Sequence, residues 1–313
     1  MKVDIQPFRE FWLDCNSTIL FSIYSALNKD RLRMYNNNYT YNIVNAGTGC
    51  AHDFNTIVLN LSMNSFQNLF LKKHSEYVVK NRSDLKYIKD VLLKDNLIVL
   101  LGVDLYYWIE DSLHWKKNHI QHFSLVKGYS EEEREFIVLE TGSKGYNQYN
   151  ISQKKFLKAA VKSGAASVVY QIVDRIEKPL SLDVILEQNV REIVNSIMYI
   201  ENKIDTIWVV ADYNKRDMTY FADFILTHIY AIENRQKANS ILMRHMFDMY
   251  NKKLFQECSC RFGELNNKYY FLKMQLMADA KNGRLNTTID MHKKYLLKYL
   301  IIEKEIWNDV SKR

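Results

Sequence analysis

The chain has 313 residues, 47% hydrophobic and 25% charged, with a formal net charge of +7. That length and balance suit two domains or one large one with a real core, and the nine glycines and two prolines argue against long disordered linkers. Four cysteines (Cys15, Cys50, Cys258 and Cys260) are too sparse for a disulfide framework and point to a reducing compartment.

The first residues lack the basic stretch and apolar core of a signal peptide, and no run approaches the ~20 apolar residues of a membrane span. The expectation is therefore a cytoplasmic protein without a membrane partner. Basic residues are interspersed with acids, as in "EEERE" at 131–135, and no DNA- or RNA-binding signature appears. Nucleic acid is not expected as a partner, whereas an acidic protein suits the modest positive charge.

Residues 16–27, "NSTILFSIYSAL", place apolar side chains at 19, 20, 23, 24 and 27, the spacing of a buried helix. Asp14, Asn16 and Ser17 are all candidate N-caps, so Cys15 falls at a helix start. An amphipathic helix is expected over 84–95 and a buried strand over 96–104, "NLIVLLGVD". Strands over 120–129 and 131–142 read as an antiparallel hairpin with a loop near Gly128. A helix over 152–162 and a strand over 166–173 complete an α+β first half. Beyond Pro179 the pattern predicts a short strand over 206–212, then long helices over 217–249, 264–280 and 286–308. The division expected is 1–175 and 176–313, with a mostly helical second part.

A cysteine at a helix N-terminus gains from the macrodipole and from free backbone N–H groups, and its thiolate is the attacking species. His122 begins one strand of the hairpin and Glu140 ends the other. With 128 opposite 134, His122 stands opposite Glu140, a register that a bulge would shift. Cys15, His122 and Glu140 thus fit a nucleophile, a base and the acid that orients it. Taken singly, each residue also fits ordinary packing or a turn.

Other constellations are weaker. Cys258 and Cys260 form C-x-C without a second ligand pair, and His245 completes no zinc set. His114, His119 and His122 cluster without an HExxH pattern, and His119 is the main rival for the role of base. "NAGTGCAHD" (45–53) holds G-x-G without the rest of a dinucleotide fingerprint. No metal is expected.

The segments "DCNSTILFSIYSAL", "LIVLLGVDLYYW" and "HFSLVKGYSEEEREFIVLETG" resemble the papain-like group around the N-terminal domain of butirosin biosynthesis protein H, related to C39-type peptidases. The resemblance spans roughly residues 10–165. It implies a papain-like cysteine protease core in which an N-terminal helix packs on an antiparallel sheet. It also implies Cys15 as nucleophile, His122 as general base and acid, and Glu140 where the pattern usually has Asp. Asp104 matches the "vD" position, where it would hold the site loop or the acceptor amine. The glutamine that relatives place six residues before the cysteine is absent. Gln6 lies nine before it, so Asn16 or backbone N–H groups would serve the oxyanion instead.

Members of that group are acyltransferases that move an acyl group from a carrier-protein phosphopantetheine thioester onto an amine. Related amide synthases of polythioamide assembly acylate a diamine. The implied partners are a carrier protein and an amine, with no cofactor beyond the thioester itself. Tyr106, Tyr107 and Trp108 would then wall the acyl chain or serve ordinary packing, and Lys116, Lys117, Lys154 and Lys155 would meet an acidic carrier or simply be solvated. A cysteine hydrolase or protease using the same residues, and an inactive carrier-binding module, are the alternatives.

Overall fold

The computed structural model describes residues 4–27, 32–35, 39–46, 54–61, 63–94, 96–173, 182–209 and 215–312. Cys50, the G-x-G stretch at 47–49 and Pro179 lie outside the described residues. In chain order the first elements are α1 (Cys15–Ala26), α2 (Leu32–Tyr35), β1 (Tyr39–Asn45), β2 (Asn55–Leu61), α3 (Met63–Gln67) and β3 (Leu71–Val78). They are followed by α4 (Arg82–Leu92), β4 (Leu97–Asp104), β5 (Gln121–Ser130), β6 (Glu135–Gly142), β7 (Gly145–Ser152), α5 (Gln153–Ser163) and β8 (Ala166–Ile172). Four long helices close the chain: α6 (Leu182–Lys203), α7 (Lys215–Tyr250), α8 (Lys253–Lys281) and α9 (Leu285–Ser311).

The architecture is mixed α+β, with an N-terminal helix, antiparallel sheets and a helical C-terminal region. The chain divides into two compact units, Met1–Arg31 with Met63–Lys178, and Leu32–Ser62 with Pro179–Arg313. The expected single boundary near 175 thus meets a discontinuous division, in which 32–62 belongs with the later helices.

The first unit is built on a six-stranded antiparallel sheet in the order β3-β8-β4-β5-β6-β7. Val99, Leu101 and Val103 of β4 pack with Val126, Phe136 and Val138 against α4 and α5. Helix α4 starts from a capping box in which Asn81 and Asp84 satisfy each other's end of the first turn. Alternate β4 residues face the other way, which is why that strand reads as a continuous apolar run.

The segment before α1 is tied across the sheet. Lys127 Nζ donates to the Ile5 carbonyl at 2.7 Å, and the Arg9 guanidinium reaches the Asn147 side chain on β7. Ser22 accepts from the Phe8 N–H at 2.9 Å, and Phe8, Phe11 and Phe21 pack edge to face around α1. These ties deliver the start of α1 to the β5–β6 region.

The second unit contains the β1–β2 antiparallel pair and the long helices. Its interior is partly polar. Glu303 on α9 is fully buried and accepts from Tyr39 at 2.5 Å, Tyr41 at 2.7 Å and Gln236 at 2.8 Å. The strand expected over 206–212 is not formed through Val209. Ile204–Thr206 is a 3-10 turn, Trp208 has φ 50°, and positions 210–212 lie outside the described residues. Trp208 is held by its indole N–H, which donates to Thr56 at 2.8 Å, so burial of the ring outweighs its β propensity. No helix among the described residues is long and apolar enough to cross a membrane.

Candidate functional site

Helix α1 begins at Cys15 because Asp14 caps it. Asp14 is extended (φ −158°, ψ 171°), its Oδ1 accepts from the Ser17 N–H at 2.8 Å, and its carbonyl accepts from the Thr18 N–H at 3.0 Å. Cys15 therefore occupies the first helical position, half-buried, where the macrodipole favours negative charge.

His122 and Glu140 come from neighbouring strands. Leu125 pairs with Leu139 and Val126 with Val138, and a bulge at Lys127 shifts the pairing to Gly128 opposite Ile137. Continued toward the strand ends, the register sets Glu140 opposite Ser124, not opposite His122. The two residues are diagonal neighbours on one face, a distance that long side chains span. His122 Nε2 donates to Glu140 Oε1 at 3.2 Å, and the same oxygen accepts from the Thr141 N–H at 2.7 Å. The His122 side chain is 17% exposed and that of Glu140 3%.

Cys15 also lies near enough to the His122 ring to influence its protonation. Burial disfavours the imidazolium, but the neighbouring Cys15 and Glu140 outweigh it, and the ring's pKa rises from 6.5 to about 10. Tyr146 on β7 is buried near both. Burial first, then the charges of Glu140 and Cys15, push its phenol well above 10, so it stays neutral.

The remaining candidates are spread around this centre. Asp104 is buried, its Oδ1 accepts from the Tyr106 N–H at 3.0 Å, and its Oδ2 accepts from His119 Nδ1 at 2.7 Å. It holds the loop after β4, and it occupies His119, the rival base, whose side chain is 63% exposed and stacks on Tyr106. Gln6 is exposed and spends its amide on Asp4 at 2.7 Å. Asn16 is exposed at the helix start beside Cys15.

Trp108 is fully buried against Phe156 in the α4–α5 core, so the wall expected of Tyr106, Tyr107 and Trp108 loses its largest ring to packing. Tyr106 and Tyr107 instead line a cleft of about 490 Å³ with Trp115, Lys116, Lys154 and Lys155. Lys155 lies 4.4 Å over the Trp115 ring and 3.2 Å from Glu110. Sequence reasoning missed Trp115, Ser22 and Tyr146, whose roles depend on packing between distant segments.

Cys258 and Cys260 lie two apart on α8 and diverge. Cys258 is buried, which pushes its thiol up to about 11, and Cys260 is exposed. No cluster of three or more His, Cys, Asp or Glu among the described residues is arranged to hold a metal ion. No protein-family model matches this sequence, and no curated protein matches it.

Proposed function

We propose that this protein is a cysteine-dependent acyltransferase on a papain-like core, related to the butirosin H group. It would move an acyl group from a carrier-protein phosphopantetheine thioester to an amine and so form an amide. One observation carries the reading: the half-buried thiol at the start of α1 adjoins an imidazole whose Nε2 is fixed by a buried carboxylate.

In this reading Glu140 takes Nε2, leaving Nδ1 of His122 to share the proton of Cys15. The Cys15 sulfur attacks the thioester carbonyl, and the N–H groups of Cys15 and Asn16 at the helix start receive the developing oxyanion. The bond to the pantetheine sulfur breaks, and that sulfur leaves with the His122 proton. An amine then attacks the acyl-cysteine, its proton passes to His122, and the bond to Cys15 breaks to release the amide. Exchange between thioesters is nearly isoenergetic, so the final amide drives the sequence. Asp104 acts as a positioning residue that holds the loop beside the site. Lys116, Lys117, Lys154 and Lys155 offer an acidic carrier a cationic face.

The test is to supply acyl thioesters with and without amines and to weigh the products. The account expects amide to dominate when amine is present. Hydrolysis dominating across many amines would instead favour a cysteine hydrolase. Carrier binding without any adduct, unchanged in Cys15→Ala, would favour an inactive docking module.

A further inference from the structure

We propose that the acyl group of the donor lies in the apolar cavity beside α1, and that this cavity selects an uncharged acyl group the size of one aromatic ring or a short branched chain. The proposal rests on the acyltransferase reading above and names its substrate class.

The cavity has a volume of about 220 Å³ and lies between α1, α3 and the β5, β4 and β8 strands. Asn16, Ile19, Leu20, Leu100, Phe123 and Val168 form most of its wall. Its position follows from helix and strand geometry. Ile19 is four residues after Cys15, so it lies one turn below the sulfur on the same helix face. Asn16 is the chain neighbour of Cys15, whereas Phe123, which follows His122 on β5, projects from the opposite face of the sheet. Gly102 pairs with Phe123, and Leu100 pairs with Val168 on β8, so the sheet side of the cavity runs away from the site across adjacent strands. An acyl group on the Cys15 sulfur therefore has this cavity as its adjoining apolar space.

The lining defines the ligand. Among the described residues the lining holds no acidic or basic side chain, its polar groups being those of Asn16, Gln67 and Tyr170, so a charged acyl terminus would find no counter-ion there. Ile19 and Leu20 are buried, whereas Phe123 keeps 38% of its surface exposed at the mouth. A large aromatic left open at the cavity is a surface that a bound acyl group would cover. A cavity of about 150 Å³ lined by aliphatic and aromatic side chains already accepts benzene. The present volume admits a ring with a small substituent and is too small for a long fatty chain. Asn16 at the mouth supplies a polar group beside the reacting carbonyl.

The experiment uses the full chain and N-acetylcysteamine thioesters of acetyl, isovaleryl, benzoyl, dodecanoyl and succinyl groups. The rate of adduct formation on Cys15 is read by intact mass, each donor normalised to its rate with free cysteine. Benzoyl or isovaleryl is expected to exceed acetyl, dodecanoyl and succinyl by about tenfold, the size of effect that an apolar pocket supplies. Val168→Phe, which fills the cavity, removes that preference. Phe123→Ala, at a half-open position, also reduces it, and serves if Val168→Phe fails to fold. A preference unchanged in both variants, or one favouring dodecanoyl or succinyl, overturns the proposal alone. No adduct with any donor overturns the acyltransferase reading and the proposal with it.

Discussion

The Nε2 atom of His122 lies 3.2 Å from Oε1 of Glu140, although their strands do not set the two residues opposite one another. The bond spans a diagonal of the sheet, and the extra methylene of glutamate over aspartate supplies reach for it. That oxygen is also held by the Thr141 N–H, so the carboxylate is fixed before it orients the ring.

Glu140→Ala is therefore expected to reduce acyl transfer by about 100-fold, and His122→Ala by about 1,000-fold or more, since the ring performs the proton transfers and the carboxylate only positions it. Glu140→Gln, which keeps an oxygen for Nε2, is expected to fall between wild type and Glu140→Ala. Single-turnover rates with one thioester donor measure the order. A silent Glu140→Ala would remove this residue from the site.

The raised pKa of His122 fixes a pH dependence. The folded value, about 10, exceeds the ordinary 6.5, so the folded state holds a proton that the unfolded chain releases between them. The resulting stability is fully present below about 6.5 and is lost as pH rises through about 10. Acyl transfer should fall over the same alkaline limb, as the proton needed by the leaving sulfur disappears. A His122 ring-proton titration by NMR should show no transition near 6.5, and His122→Gln should flatten the dependence of Tm on pH across this window.

Asp14→Ala is expected to cost about 1 kcal/mol of stability, because it removes the side-chain acceptor of the Ser17 N–H. Asp14→Asn preserves an acceptor and should cost a few tenths of that. Urea unfolding of the two variants distinguishes capping from a general loss of charge.

The account of α1 was largely legible in the sequence. The apolar spacing from Ile19 to Leu27 and the polar Asp14 set its limits near those observed, Cys15–Ala26. The β5–β6 hairpin was legible as two strands but not in register. Gly128 lies within β5 beside the bulge, and the turn is the charged 131–134 segment, with Arg134 at φ 56°. A bulge breaks the alternation by one residue, but the mixed pattern of "HFSLVKGYS" does not show where, so the offset could be seen only in space. Strand β7 was missed because "GYNQYNIS", at a sheet edge, is polar on much of its surface. The grouping of 32–62 with the later helices was equally hidden, because a discontinuous unit is defined by long-range contacts and not by composition.

Glu303 in the second unit gives a separate stability prediction. Burial first raises its carboxyl from 4.5 to about 7, against the lowering effect of the hydrogen bonds from Tyr39, Tyr41 and Gln236. The folded state then binds more protons than the unfolded chain between 4.5 and about 7, so this group's contribution falls as pH rises through that window. Glu303→Ala, which strands three buried donors, is expected to cost about 3 kcal/mol or more. Glu303→Gln should remove the pH slope with a smaller loss, a difference that melting curves across the window resolve.

The most direct measurement is peptide mapping of the adduct formed when the full chain meets an acyl thioester. Cys260, exposed on α8, is an internal control for unactivated thiol chemistry. The account predicts an acyl group on Cys15 alone, formed by wild type, absent from Cys15→Ser and strongly reduced in His122→Ala. Acylation of Cys260 at an equal rate, or of Cys15 at the same rate without His122, would contradict it.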